Sequence, residues 1–355
     1  MRKTHLLLTI IFIIFSATTY ADSSNGLIVK SKGKETIELR FNGRLQAQYD
    51  GLSSNEPGVP SSSHFYFRRL FLGAKAKLQN GISTESVFNL AGDDVSIDKA
   101  IIAYTFSSGI KGTIGYQKVP FGFEETTSSS KLQTIERSAI NRLFADDIDF
   151  SSRHTGLFLK GKLASGFSYS AALVNDIQGE GSKLGGASNA NNDLATFLRL
   201  QWKEDALTAG IDWGRKSNYM ANNNTLVSEN VDAYTMYINY KKDGLILLGE
   251  YFSGDISDSE VSGYSLRASK RTGAYEPVIR YAKIDAGSFA IDTDELIRRA
   301  PKVNSILGFD SEMTSLYLGV NYYYSKAVTF MAGYEQAEAE SSEVDGFRAR
   351  VQVLW

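Results

Sequence analysis

Arginine and lysine side chains recur two or four positions apart in several segments of the sequence. Examples are the pairs Arg40 and Arg44, Lys75 and Lys77, and Arg348 and Arg350. In an extended strand, residues separated by an even number of positions share one face, so each pair would present its positive charges to the same side. A guanidinium group binds two oxygen atoms of an anion at once, and an ammonium group attracts an anion as a compact charge. These spacings predict surfaces that attract anions.

Residue types that carry out other chemistry are sparse. The chain contains no cysteine, and of its three histidines only His64 and His154 follow the N-terminal apolar run. Ser152 stands two positions before His154, but a serine nucleophile needs a base that a third group orients, and the sequence has no Gly-x-Ser-x-Gly turn. We therefore expect no enzymatic activity, no cofactor and no metal site.

The segments that carry the basic residues alternate between apolar and polar positions. From residue 37 to residue 50, apolar or small residues hold the odd positions, and charged or amide residues hold the even ones. A period of two with one apolar face predicts a β-strand whose two faces meet different solvents. Sixteen segments show the pattern: 36–50, 65–78, 82–90, 97–106, 110–119, 155–163, 166–175, 194–203, 206–215, 231–242, 245–254, 261–270, 274–285, 313–325, 327–337 and 345–355.

The connections between these segments alternate in length. Turns of one to three residues alternate with longer links, of which 120–154 is the longest, and even the shorter links 91–96, 255–260 and 338–344 exceed every turn. Barrels of the outer membrane have short periplasmic turns and long external loops, whereas a soluble sandwich has no reason to sort its connections. The sequence therefore predicts an all-β, closed antiparallel transmembrane β-barrel of about sixteen strands.

The N-terminus predicts export. Arg2 and Lys3 precede an apolar run over residues 6–15, which is shorter than the roughly 20 residues of a spanning helix. We predict a signal peptide over residues 1–21, cleaved after Ala21, then a periplasmic segment 22–35 and the barrel 36–355. The expected location is the outer membrane of a Gram-negative cell. The mature chain keeps 36 basic and 40 acidic residues, a net charge of −4, so no positive field suggests a nucleic-acid partner.

The solvent dictates what the barrel must look like. Lipid offers no hydrogen-bond partners, so every strand edge must pair and the sheet must close. Sixteen strands enclose more space than side chains fill, so we expect an aqueous channel. Outer-membrane lipid would surround the barrel, and aromatic residues near strand ends predict girdles at its interfaces. These residues are Tyr104, Phe106, Tyr116, Phe167, Tyr240, Tyr251, Tyr281, Tyr322 and Tyr324.

The face opposite the apolar one carries an excess of positive charge. Its cations would be Arg40, Arg44, Arg69, Lys75, Lys77, Lys99, Lys111, Lys160, Lys162, Arg199, Lys203, Arg267, Arg280, Arg348 and Arg350. Its acids would be Glu38, Glu85, Asp212, Glu250, Glu276 and Glu335. Fifteen basic against six acidic positions, in a mature chain of charge −4, place most acids in external loops. A pore wall of one predominant sign concentrates counter-ions, so we predict a preference for anions.

Several short motifs resemble the phosphate-selective porin O and P family. They are Lys118-Val119-Pro120-Phe121-Gly122-Phe123-Glu124, Ser128-Ser129-Ser130, Glu136-Arg137-Ser138, Arg153-His154-Thr155-Gly156-Leu157, the run Gly273 to Tyr281 and Leu318-Gly319-Val320-Asn321-Tyr322-Tyr323. The resemblance implies a trimeric outer-membrane channel of sixteen strands with its third external loop folded into the lumen. Members of known function pass phosphate, pyrophosphate or similar anions, and many others are simply called porins.

The link 120–154 is the candidate constriction. Pro120 ends ladder pairing, and a link of this length in a compact fold is often functional. In the family, anions bind to arginines of the first two strands and to lysine and serine residues at the start of this loop. Matched by motif, these are Arg44, Arg68 or Arg69, Lys118, Ser128 and Ser129. Arg68 and Lys118 have the lipid-facing parity, so they reach the lumen only above the membrane or through a bulge.

The favoured interpretation is a passive outer-membrane porin, a homotrimer that prefers anions such as phosphate or polyphosphate. A general or cation-tolerant porin, in which loop acids offset the basic wall, is the alternative. A structural or adhesive barrel with a plugged lumen is less favoured. The candidate pore-lining residues are Arg40, Arg44, Arg68, Arg69, Lys75, Lys77, Lys118, Ser128, Ser129, Arg280, Arg348 and Arg350.

Overall fold

Sixteen strands of the computed structural model form a closed antiparallel barrel. The structure describes residues 18–22, 26–32, 36–55, 61–78, 80–92, 94–177, 193–220, 226–227, 230–256, 259–289, 291–292, 296–297 and 309–355. The strands are β1 (Thr36–Ser54), β2 (Ser62–Lys77), β3 (Ile82–Asn89), β4 (Ser96–Thr105), β5 (Lys111–Lys118), β6 (Arg153–Lys162), β7 (Phe167–Asn175), β8 (Leu194–Glu204), β9 (Leu207–Lys216), β10 (Val231–Lys242), β11 (Leu245–Ile256), β12 (Ser259–Lys270), β13 (Tyr275–Asp285), β14 (Glu312–Tyr323), β15 (Val328–Ala339) and β16 (Glu343–Leu354).

The predicted strands are confirmed, and their bounds differ from the observed ones by at most four residues. The barrel closes where β16 pairs with β1, from Val344 opposite Ser54 to Leu354 opposite Arg44. Because β16 and β1 pair along this part of the wall, no strand edge here is left unpaired in the hydrocarbon, as a bilayer requires.

A short N-terminal strand covers the part of β1 that β16 does not reach. Residues Gly26–Lys32 pair with β1 from Phe41 down to Thr36, and Thr18–Asp22 pairs with Gly26–Lys32 in turn. Residues 1–17 of the predicted signal peptide lie outside the described residues, and cleavage after Ala21 remains a prediction. The predicted periplasmic segment 22–35 thus contributes a strand to the sheet.

The outer and inner faces differ as the alternation predicts. Along β13, Tyr275, Ile279 and Tyr281 are exposed, whereas Glu276 and Arg280 are buried. Exposed aromatic side chains gather near the short turns: Tyr104, Phe106, Phe167, Tyr275, Tyr324 and Trp355. The apolar outer surface and this aromatic rim fit a barrel that lies in lipid.

Two external connections are shorter than the sequence predicts. The link between β11 and β12 comprises residues 257–258, and the link between β15 and β16 comprises residues 340–342. The cause is that these strands extend past the predicted segments, so residues expected in loops pair instead. Two other external links contain small strand pairs, Tyr219–Met220 with Leu226–Val227 and Ile291–Asp292 with Phe309–Asp310.

The long link 119–152 contains the helices α1 (Phe123–Thr126) and α2 (Ala139–Arg142), and a π-helical turn (Leu143–Asp147) follows α2. Within the described part of the chain, no helix is both long and apolar enough to cross a membrane.

Three irregularities change the phase of the alternation between β2 and β5. Gln46 of β1 faces Arg69 and Ala47 faces Phe67, so Arg68 is an extra residue in a β-bulge. Val87 of β3 faces Lys99 and Phe88 faces Ile97, which makes Asp98 a second extra residue. Such bulges redirect the side chains of the strand that contains them.

Gly115 marks the third irregularity. Its φ of 130° lies in a region that L-residues rarely adopt. Ile114, on its near side, is exposed on the outer wall, whereas Tyr116 and Lys118, on its far side, line an internal cavity. Tyr116 therefore does not join the predicted aromatic girdle.

We predict that Gly115→Ala destabilises the barrel. A Cβ atom at this position would lie 2.2 Å from the carbonyl oxygen of Ala100, in addition to the strained φ. We expect a cost of about 1–3 kcal/mol, measured as a lower midpoint of thermal unfolding in detergent. Gly112→Ala on the same strand is the control, because the nearest atom to its Cβ lies 3.5 Å away in the Phe106 ring. Equal midpoints for the two variants would contradict this account of Gly115.

Candidate functional site

The link 119–152 folds into the barrel, and we call it the inner loop. Ile135, Ile140, Phe144 and Phe150 of this loop are fully buried. Hydrogen bonds join it to inward-facing side chains on opposite sides of the wall, from Gln46 of β1 to Asp212 of β9. It is the third external connection along the chain, so the lumen is crossed as the resemblance implies.

An apolar cluster fills one side of the lumen. The ring centroids of its neighbouring phenylalanines lie between 4.9 and 6.4 Å apart: Phe121, Phe144 and Phe150 of the inner loop, Phe197 of β8 and Phe252 of β11. Leu296 and Ile297, from the link before β14, belong to the same cluster. This side of the lumen is therefore dry, because apolar residues also occupy inward-facing positions near the external ends of the strands.

Charged wall residues hold the start of the inner loop. The backbone N–H of Gly122 donates to Asp212 at 2.9 Å, and Asp212 pairs with Arg199 at 2.6 Å. Arg199 also donates to the hydroxyl of Thr126 at 3.0 Å. Arg267 of β12 donates to Glu124 at 2.8 Å. Both ends of α1 are thus fixed to side chains of β8, β9 and β12.

The carboxylates of Glu124 and Glu125 stay charged although they are buried. Burial alone would raise the pKa of Glu124. Arg267, Arg280 and the backbone N–H of Ser138 together lower it by more than burial raises it, so the pKa lies below the usual value of 4.5. For Glu125, Arg137 and Lys118 likewise outweigh burial and lower the pKa. Both side chains are therefore anionic at neutral pH and attract the cations around them.

The middle of the inner loop runs along β1, β16, β14 and β13. Its backbone carbonyls accept hydrogen bonds from wall side chains: Ser129 from Gln46 at 3.4 Å, Ser130 from Gln352 at 3.2 Å, Gln133 from Asn321 at 2.8 Å and Glu136 from Arg280 at 2.7 Å. Because the donors come from four strands, this part of the loop follows the wall instead of hanging freely in the lumen.

A polar cavity remains between the inner loop and strands β1 to β6. Its volume is about 630 Å³. Seven basic side chains line it, namely Arg44, Arg68, Arg69, Lys99, Lys118, Arg137 and Arg153, against three acids, Asp98, Glu125 and Asp146. Hydroxyl groups complete the lining: Ser96, Tyr116, Thr126, Thr127, Ser128, Ser129 and Ser152. The excess of four positive charges, together with the hydroxyl donors, suits an oxyanion.

Two guanidinium groups of this cavity form no ion pair within the part of the chain that the structure describes. Arg44 donates to the hydroxyl of Ser128 at 3.2 Å and stacks over Phe71, with 4.4 Å from Cζ to the ring centroid. Arg69 donates to the amide oxygen of Gln46 at 2.9 Å. Arg44 faces Phe71 and Gln46 faces Arg69 across β1 and β2, so the two arginines are diagonal neighbours on one face.

The other cations of the cavity have carboxylate partners. Lys118 and Arg137 both bind Glu125, the latter at 3.1 Å. Arg68 binds Glu136 at 3.1 Å, and Arg153 binds Asp98 at 2.5 Å, while Lys99 binds Glu85 at 2.9 Å.

The structure brings together all residues that the motif match suggests: Arg44, Arg68, Arg69, Lys118, Ser128 and Ser129 line this one cavity. The bulge turns Arg68 inward, and the irregular backbone at Gly115 does the same for Lys118.

Three predicted pore-lining arginines lie outside the cavity lining. Arg280 pairs with Glu335 at 2.6 Å, Arg348 with Asp50 at 3.0 Å and Arg350 with Glu136 at 2.6 Å. All three are almost completely buried. This corrects the expectation that they line the open pore, because carboxylates neutralise them and the inner loop or residue Ile297 covers them.

The remaining predicted residues lie closer to the short turns. Arg40 faces Lys75, and Glu38 faces Lys77, across β1 and β2. Arg40 also pairs with Glu38 at 2.5 Å. These residues are on the inward face, toward the periplasmic end from Arg44, and they are not part of the cavity lining.

The candidate pore-lining residues predicted from the sequence do not include the charged lining residues Asp98, Glu125, Arg137, Asp146 and Arg153. A signal for Asp98 was present, because a charged residue at a lipid-facing position inside a strand is costly unless a bulge turns it inward. Arg137 and Arg153 belong to the inner loop and its exit, where the alternation gives no orientation.

We predict that Glu124→Gln loosens the inner loop. The substitution leaves Arg267 buried without a compensating charge, and loss of one partner of a buried pair costs about 3–5 kcal/mol. Single-channel recordings at neutral pH should show larger and fluctuating current in place of one steady level. Glu260→Gln, at an exposed position of β12, removes the same charge as a control. A steady native current from Glu124→Gln would show that this pair does not hold the loop.

Known proteins resemble the chain in both sequence and fold. The sequence profile of the family described as "Phosphate-selective porin O and P" matches residues 39–196. Three solved structures share the fold. An anion-selective porin from Comamonas acidovorans has a TM-score of 0.66 at 13% identity, covering 90% of this chain and 100% of that one. Salmonella typhi OmpF, in complex with daunomycin, has a TM-score of 0.63 at 9% identity over 95% and 100%.

The third structure is OmpT of Vibrio cholerae, folded in vitro and in a trimer form, with a TM-score of 0.61 at 12% identity over 90% and 99%. The chain thus has the fold of an outer-membrane porin, and over residues 39–196 it matches the phosphate-selective porin O and P family.

Proposed function

We propose that the protein is a passive channel that prefers anions and binds phosphate in the cavity beside the inner loop. The observation that carries the proposal is the pair Arg44 and Arg69, two cations on the cavity wall that have no carboxylate partner within the described residues. An uncompensated cation in a confined space attracts an anion more strongly than one in open water. The hydroxyl of Ser128, beside Arg44, supplies a further hydrogen bond for a phosphate oxygen.

Basic residues continue from the cavity toward the short turns. Lys111 of β5 faces Lys160 of β6, and Arg40 faces Lys75 on the other side of this wall segment. Two carboxylates offset part of this charge, Glu38 beside Arg40 and Glu85 beside Lys99. An anion that leaves the cavity would therefore meet further cations before the periplasm.

A general or cation-tolerant porin is the second candidate. Asp98, Glu125 and Asp146 lie in the cavity lining, and Asp146 is more than one-third exposed. If these acids governed the potential at the narrowest point, cations would pass as well. A plugged structural barrel is less well supported, because the apolar cluster fills one side of the lumen while the cavity lies on the other.

We further propose that the protein is not an enzyme. The ring of His154, the one histidine near a candidate serine, is fully buried beside Phe197, and its Nδ1 contacts the carbonyl of Asn175 at 2.9 Å. A general base must reach the nucleophile or a water molecule. Release of product from a panel of ester and peptide substrates would refute this proposal.

The mature protein would be a homotrimer in outer-membrane lipid after removal of its signal peptide. The trimer form of the Vibrio cholerae protein with the same fold supports the oligomeric state. The mass of the detergent-solubilised complex tests it, since a monomeric mass would exclude the trimer. N-terminal sequencing of the mature chain tests cleavage after Ala21.

The zero-current potential across a potassium chloride gradient tests the channel. We expect a chloride-selective potential, and we expect added phosphate to block the chloride current. Chloride selectivity without block would retain the anion channel and remove the phosphate site. A cation-selective potential would support the second candidate, and an absence of current from folded protein would exclude a channel.

We predict that Arg44→Gln weakens the phosphate block. The variant loses one charge-assisted hydrogen bond, worth about 1.5 kcal/mol, so the phosphate concentration for half-block should rise about tenfold. Arg215→Gln removes the same charge from an exposed position of β9 and should leave the block unchanged. If both variants retain the native block, phosphate does not bind at Arg44.

A further inference from the structure

We infer that Glu136 sets the anion preference of the cavity by neutralising Arg68. This inference rests on the proposed function, since it assigns the residue that limits the selectivity of the same cavity. Glu136 belongs to the inner loop and is 5% exposed, whereas Arg68 is the bulged residue of β2 and lines the cavity. The two residues are far apart in the sequence and meet only because the loop enters the lumen.

One oxygen atom of Glu136 joins two arginines from different strands. Its Oε1 accepts a hydrogen bond from Nε of Arg68 at 3.1 Å and another from Nη2 of Arg350 at 2.6 Å. Arg350 is buried, also donates to Gln48, and lies outside the cavity lining. Of the two partners, only Arg68 lines the cavity and can contact a permeating ion directly.

Backbone contacts fix Glu136 in this place independently of its carboxylate. Arg280 donates to its carbonyl oxygen at 2.7 Å, and the Thr134 hydroxyl donates to the same atom at 2.7 Å. A change of the carboxylate to an amide would thus keep the chain path. Glutamine also retains an acceptor oxygen for Arg68 or Arg350, so the substitution removes charge with little change of shape.

Arg68 differs in this respect from its neighbours Arg44 and Arg69. All three guanidinium groups line the cavity, but only that of Arg68 is paired with a carboxylate. The inner loop therefore neutralises one of three adjacent cations. Glu136 acts as a positioning residue for Arg68, and it need not contact the permeating ion.

The experiment is a double-mutant cycle with Glu136→Gln, Arg68→Gln and the double variant, read as the ratio of chloride to potassium permeability. Glu136→Gln should raise the ratio about threefold, because a unit charge about 6 Å from an ion in water changes the local concentration of that ion by about this factor. The double variant should lose this gain, because the freed cation is then missing. The concentration of phosphate for half-block should fall in Glu136→Gln alone.

Glu335→Gln is the matched control. Glu335 also joins two arginines inside the barrel, Arg280 at 2.6 Å and Arg348 at 3.2 Å, but neither lines the cavity. We expect a smaller rise of the permeability ratio in this variant. An equal rise would show that any carboxylate of the lumen has the same effect, and it would overturn the assignment to Glu136.

An unchanged permeability ratio in Glu136→Gln, or a gain that persists in the double variant, would also overturn the inference. If Glu136→Gln does not fold, Arg68→Gln in the native background decides. It removes a positive charge and leaves the carboxylate of Glu136 to act on the cavity, so the ratio should fall about as much as in Arg44→Gln. An unchanged ratio would show that the pair of Arg68 and Glu136 does not act on the cavity, and it would overturn the inference. The zero-current potential of the native protein tests the proposed function, whereas the differences in permeability ratio between the variants test the role of Glu136. Either proposal can therefore fail alone.

Discussion

Ion pairs between the inner loop and the wall determine both where the loop lies and which wall cations keep an uncompensated charge. Glu124 binds Arg267, and Glu136 binds Arg68 and Arg350. A buried pair adds little net stability, but an arrangement that separates the partners leaves a buried charge alone and is strongly disfavoured. The pairs therefore select one position of the loop. The same contacts subtract positive charge from the wall, so the shape of the channel and its charge are not independent.

The lumen is asymmetric because the loop has two different faces. Its phenylalanines pack on apolar inward positions such as Phe197 and Phe252, while Ser128 and Ser129 face the basic strands β1 and β2. A barrel of sixteen strands is too wide for side chains to fill, and the loop occupies both the apolar side and the lumen beside β13, β14 and β16. The cavity that remains open lies beside β1–β6, with cations on the wall and hydroxyl groups on the loop.

The strands were predictable from the sequence because hydrocarbon and water impose a period of two on every residue of the wall. Where that period breaks, prediction from parity fails: the phase changes at Arg68, Asp98 and Gly115 depend on how neighbouring strands pair. Motif similarity still identified Arg68 and Lys118, since it does not depend on phase. Neither approach revealed that Glu335 and Asp50 neutralise Arg280 and Arg348, because those contacts join strands far apart in the sequence.

A count of inward-facing charges therefore overstates the field that an ion experiences. Fifteen basic and six acidic positions have inward parity, yet further acids, among them Glu124, Glu125, Glu136 and Asp146, enter the lumen with the loop, and Asp98 enters through a bulge. A paired cation presents a dipole whose field decays faster than that of a free charge. The uncompensated charges dominate the electrostatic potential in the cavity, and Arg44 and Arg69 are neighbours among them. In a channel of this kind, selectivity follows from the net charge at the narrowest point, which is the number of cations minus the number of carboxylates that neutralise them. A loop that supplies carboxylates changes this net charge without any change in the wall.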